Sequence, residues 1–145
     1  MKKYLSFIAF AMLAVFSLSF VSCSSDDDES EPTENSSDII GTWYDDYDND
    51  DDFSYIQFKS DGTFIDVESS EDAEKGYWVQ RGKWSISGDK LMMKVTSSDD
   101  PFDIWVGTTL TYDIIKIEKN KLTMSLWGIT GTLVRVSDDA IQKYL

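Results

Sequence analysis

Between residues 40 and 136 the apolar side chains of this chain recur at every second position, and no sustained helical spacing interrupts them. Alternation of that kind belongs to strands that bury one face. Tyr55-Ile56-Gln57-Phe58-Lys59 alternates, Ser60-Asp61-Gly62-Thr63 supplies turn chemistry, and Phe64-Ile65-Asp66-Val67-Glu68 follows, which is a hairpin signal. Phe64 stands at the opposite parity to Ile65 and Val67, so the pattern leaves its face open. The longest run is Gly76 to Ser87, with Trp78, Gln80, Gly82, Trp84 and Ile86 on one side. Ser87-Gly88-Asp89 turns it into Lys90 to Thr96, and Asp99-Asp100-Pro101 then breaks the chain. Thr108 to Glu118, Leu122 to Leu126 and Thr130 to Val136 complete the series.

A meander of about eight strands has to close on itself or pair with a second sheet to hide its edges. The predicted fold is therefore all-β, a small antiparallel meander barrel of about eight strands, with room for packed side chains or one small ligand. Ser137-Asp138-Asp139 could cap a short C-terminal helix through Leu145, with acids in its first turn; a frayed tail fits the same residues.

Composition narrows the chemistry. Histidine is absent and Cys23 is the one cysteine, which removes thiol catalysis, zinc sites of the Cys/His kind and Ser-His-Asp triads. The formal charge of −14 argues against nucleic acid, whose binding rests on Lys and Arg neutralising phosphates. An enzyme would have to work through a matched carboxylate pair. Acids scattered over loops define no such pair, so the expectation is a protein that is no enzyme and carries no cofactor.

The N-terminus carries an address. Met1-Lys2-Lys3-Tyr4 is a basic start and Leu5 to Phe20 an apolar stretch, the form of a secretory signal peptide. A membrane-spanning helix would need about 20 apolar residues, more than are present. Phe20-Val21-Ser22-Cys23 resembles the lipobox of bacterial lipoproteins, in which diacylglycerol is attached to the cysteine, the leader is cut before it and the new amine is acylated. The resemblance implies that Cys23 is a lipid anchor, and several acyl chains hold stably where one does not. Ser24-Ser25-Asp26-Asp27-Asp28-Glu29 resembles the acidic export signal of Bacteroidota surface lipoproteins; it would serve equally as a solvated spacer. The resulting division is a leader at 1–22, the lipidated Cys23 with a disordered acidic tether over 23–37, and a barrel domain over 38–145. The implied location is the outer membrane, lipid-anchored and exposed at the cell surface.

Ile40-Gly41-Thr42-Trp43 opens the first strand, and Arg135 lies in the last, Gly131-Thr132-Leu133-Val134-Arg135-Val136. With "YIQFKSDGTF", "GYWVQRGKWSISGDKLMMKV" and "YDIIKIEKNKLTMSL" between them, the chain resembles the lipocalin-like domains of Bacteroidota surface lipoproteins. That resemblance implies that Trp43 plugs the closed end of the barrel and that Arg135 lies across its indole face.

Several residues are candidates for contact with a ligand or partner. Trp78, Trp84, Tyr112 and Trp127 could line a pocket, or simply fill a small core. Phe102 and Trp105, on the loop after Pro101, are large apolar groups of the kind that mark contact sites. Gln80 and Arg81 could add polar contacts. Asp46, Asp48 and Asp50 invite a calcium reading, yet Asp51 and Gln57 stand where an EF-hand needs Gly and Glu, so a solvated acidic loop competes with it. Two functions follow. One is an envelope binding protein that holds a small apolar or glycan-derived ligand. The other is a solid-core interaction protein, an adhesin, inhibitor or immunity-type partner, docking through its acidic and aromatic loops.

Overall fold

A computed structural model describes residues 37–45 and 52–145. Its eight strands are β1 (Gly41–Asp45), β2 (Ser54–Phe58), β3 (Thr63–Ser69), β4 (Tyr77–Ser87), β5 (Lys90–Ser98), β6 (Thr109–Ile117), β7 (Lys121–Leu126) and β8 (Ile129–Val136). Each pairs antiparallel with the next, and β8 returns to β1 through Trp43 opposite Arg135. The sheet is a closed barrel, every strand having a partner on both sides, although the β1–β8 seam is short, Thr42–Tyr44 against Val134–Val136.

The turns use the chemistry read in the sequence. Gly62 takes a φ of 77°, while the Asp61 carboxylate accepts hydrogen bonds from the Thr63 amide at 2.9 Å and its hydroxyl at 2.6 Å. Gly88, at φ 61°, gives β4 its tight return into β5. The C-terminal segment forms two short 3-10 turns, Asp138–Ala140 and Gln142–Tyr144, with Ser137 accepting from the Asp139 amide at the first.

Two apolar clusters explain the ambiguous parity of β3. Phe64 points inward and joins Trp43, Phe58, Trp84, Leu91 and Leu122 in the barrel core. Ile65 and Val67 point outward, where Val79 and Ile141 bury them, with Tyr55, Tyr77 and Tyr144 packed alongside. The 3-10 turns thus cover a patch of the outer wall, and β3 is apolar on both faces because both are covered. Gly82 sits opposite Phe64 at an irregularity in the β4–β5 register. A Cβ at Gly82 would lie 2.1 Å from the Lys94 carbonyl and 2.5 Å from Phe64 Cε1, so the bare backbone is what admits that ring.

Candidate functional site

The two ends of the barrel differ. At one end Trp43 is fully buried and donates Nε1 to the Ile39 carbonyl at 2.7 Å. The Arg135 guanidinium lies 4.1 Å from the centre of the indole. It donates to the carbonyls of Lys119 at 2.8 Å, Ile40 at 2.6 Å and Asp38. Above this plug Phe58 and Trp84 meet edge to face at 5.5 Å, and Trp84 Nε1 donates to the Lys59 carbonyl. This half is filled.

The other half is hollow. A cavity of about 270 Å³ opens between the strands at the end that carries the β1–β2, β3–β4, β5–β6 and β7–β8 connections. One wall is apolar, from Met93, Tyr112, Met124, Leu126, Ile129 and Leu133. The facing wall is acidic, with Asp45 at the end of β1 and Asp66 and Glu68 on β3. A smaller pocket of about 40 Å³ adjoins Asp66 and Glu68 and is otherwise lined by Trp78, Gln80 and Asp100.

Asp66 is the unusual group. Its Oδ1 is buried and has no hydrogen-bond partner. Gln80, directly across the β3–β4 ladder, would be a natural donor, but its amide is held by Asp103 at 2.7 Å. Burial, and then the charge of Glu68, push the Asp66 carboxyl up to about 7, with the Val67 backbone amide opposing the rise. Glu68 is raised as well, by burial first and then by Asp52. No group of three or more carboxylates converges tightly enough to hold a metal ion among the described residues.

The aromatic residues named from the sequence separate along the barrel axis. Tyr112 lines the main cavity and Trp78 the small pocket. Trp84 does not reach the cavity; it belongs to the filled half, because the inward positions of β4 descend from mouth to plug as the strand crosses the barrel. Trp127 is not in the wall either. It forms the two-residue turn with Gly128, 72% exposed, with its ring 5.6 Å from that of Trp105. Trp105 is half-buried against the core, while Phe102 is 86% exposed. Asx turns brace their loop: the Asp100 carboxylate accepts from the Phe102 amide, and that of Asp103 from the Trp105 amide, each at 2.8 Å. Gln80 reaches the small pocket; Arg81 points out to solvent. Cys23, the leader, most of the tether and Asp46, Asp48 and Asp50 lie outside the described residues.

Asp45, Asp66, Glu68, Met93 and Met124 were not anticipated from the sequence as cavity residues. One signal was available: Asp66 and Glu68 share the parity of Phe64, so an inward Phe64 turns both acids to the barrel's inner face, Asp66 within it and Glu68 at its exposed mouth.

The sequence profile of the lipocalin-like domain matches residues 21–124, well over half of the chain. The chain belongs to the lipocalin-like domain family. Among solved structures, a lipocalin-like protein from Bacteroides uniformis shares 16% identity with this lipocalin-like chain, at a TM-score of 0.51 over 68% of this chain and 99% of that one. A Bacteroides eggerthii protein matches at 15% identity and a TM-score of 0.47, over 68% of this chain and 99% of its own. A lipoprotein from Klebsiella pneumoniae matches at 18% identity and a TM-score of 0.44, over 73% of this chain and 83% of its own. None of the curated proteins matches the sequence at a significant level. At such identities the likeness is one of fold, and this lipocalin-like domain has to be read from its own residues.

Proposed function

We propose that this protein is a lipid-anchored binding protein of the cell envelope, displayed at the outer membrane through Cys23, that holds a small ligand in the open half of its barrel and performs no catalysis. The observation that carries the reading is the half-filled barrel. Inside the barrel Trp43, Phe58 and Trp84 fill the plug half, yet Met93, Tyr112, Met124 and Leu133 are left around a cavity of about 270 Å³ in the other. That volume is near the lower end for a small-molecule site, about 300 Å³. Native mass spectrometry of residues 24–145 after exposure to lysate of the source organism tests it. An adduct lost on denaturation is the expected result; a clean apo mass would speak against an internal ligand.

One observation favours a second reading, docking to a protein through the rim. Phe102 and Ile104 are 86% and 77% exposed on a braced loop, where a monomer gains nothing by displaying them. A partner held through the acidic loops as well would bind less tightly as salt rises.

A further inference from the structure

We infer that the open half of the barrel takes an organic cation, a protonated amine carrying a short apolar body. This deepens the small-ligand reading above and rests on it.

The first argument is charge. Asp45, Asp66 and Glu68 line the main cavity, Asp100 joins the last two at the small pocket, and no Lys or Arg lines either space among the described residues. A fatty acid or other anion would bring a second negative charge into this half-enclosed space, where like charges repel more strongly than in water. A cation is drawn in, and the chain's formal charge of −14 raises its local concentration.

The second argument is the stranded oxygen. Buried acceptors are nearly always paired, and leaving one unpaired costs about 1–3 kcal/mol. Asp66 lines the cavity, and its buried Oδ1 has no partner while Gln80, its neighbour across the ladder, donates to Asp103. An ammonium group has the donors this acceptor lacks.

The third argument separates an amine from a metal ion. Calcium takes six to eight oxygens gathered around one point, and no such convergence exists among the described residues. An ammonium needs only one or two acceptors, and leaves its carbon body to be buried by Met93, Met124 and Leu126 on the opposite wall. Tyr112 in that wall adds an aromatic ring of the kind that attracts cations.

Three probes of equal length and different charge test the assignment: hexylammonium, hexanol and hexanoate, titrated by NMR into the chain lacking residues 1–23, since the closed sheet is complete without them. Hexylammonium is expected to bind at least about tenfold more tightly than hexanol, the value of one charge-assisted hydrogen bond, with hexanoate weakest. Asp66→Asn should bring the amine down to the hexanol level and leave hexanol unchanged, which also reports that the variant is folded. Should that variant lose hexanol too, Glu68→Gln supplies the comparison, with a smaller loss of amine affinity expected. In the unaltered protein, amine affinity should rise from about pH 5 to 8 as Asp66 ionises, with Asp45, Asp52, Glu68, Asp100 and Tyr112 as the other titratable groups around it. Hexanol binding as tightly as the amine would overturn the cation and leave the small-ligand reading standing. Failure of all three probes would overturn both. Full amine affinity in both Asp66→Asn and Glu68→Gln would overturn the acidic wall as the anchor.

Discussion

Arg135 lies over the Trp43 ring, its guanidinium 4.1 Å from the indole centre, and its three nitrogens reach the carbonyls of Asp38, Ile40 and Lys119. One side chain therefore joins the incoming chain, the β6–β7 connection and the last strand at the closed end. Arg135→Ala should lower stability by about 1–3 kcal/mol, the sum of a cation–π contact and lost hydrogen bonds after solvent compensates. Arg135→Lys should recover only part, because an ammonium cannot fork to several carbonyls. Urea denaturation measures both, and an unchanged midpoint for Arg135→Ala would show that Trp43 holds the base unaided.

Asp66 sets a pH dependence of stability. Its folded carboxyl titrates at about 7 while the unfolded chain has the ordinary value near 3.8. Between those values the unfolded state loses its proton first, so this group makes stability fall as pH rises, and the loss levels off above about 7. The penalty is on the order of 1–4 kcal/mol. Asp66→Asn should therefore be more stable than the unaltered protein at pH 8 and nearly equal to it at pH 4, in paired thermal melts. Equal stability of the two at both pH values would show that the carboxylate is comfortably solvated.

Gly82 should tolerate no side chain. The Lys94 carbonyl is backbone and cannot swing away, and Phe64 is enclosed by the core, so Gly82→Ala has to shift a strand or a ring. Overpacking of this kind costs about 1–3 kcal/mol. A double variant that also trims Phe64 to Leu should recover part of the Gly82→Ala loss if the ring is the obstacle, and none if the carbonyl is.

Trp127 holds a φ of 52°, a conformation that a bulky L-residue adopts only with strain. With Gly128 at φ 84° it makes a two-residue hairpin turn whose first position suits Asn or Asp. Trp127→Asn should raise stability by about 1 kcal/mol from relief of the backbone, less whatever the Trp105 contact contributes. A fall in the thermal midpoint would mean that the Trp105–Trp127 pair outweighs the strain.

Cys23 should decide where the protein resides. Cys23→Ala is expected to leave the chain uncleaved and unlipidated, so that metabolic labelling with a palmitate analogue no longer marks it. Labelling that persists in the variant would place the lipid elsewhere.

The order of strands and the turns at Gly62 and Gly88 were legible, because alternation and turn chemistry are local properties, whereas closure of the first strand on the last was implied by the resemblance to lipocalin-like domains. The function of each inward residue was not. Trp84 and Tyr112 both stand at inward parity, yet one is floor and the other wall, and only the stagger at which β1 to β8 close sets their heights along the barrel. The parity of β3 was illegible for a related reason. Ile65 and Val67 are apolar because Ile141 and Tyr144 return to cover them from the far end of the chain, a contact no local pattern contains.

The sequence by itself determined an acidic antiparallel meander that has to hide its edges, since period-2 patterning and turn residues act over a few positions and admit few topologies; the Trp43–Arg135 closed end was implied by the resemblance to lipocalin-like domains. Tertiary structure alone decided that the barrel is half full and that one carboxylate oxygen, Asp66 Oδ1, is buried unpaired beside the empty half. Which side chains meet across a closed sheet depends on strand stagger, and whether Asp66 finds a donor depends on Gln80 having already turned to Asp103.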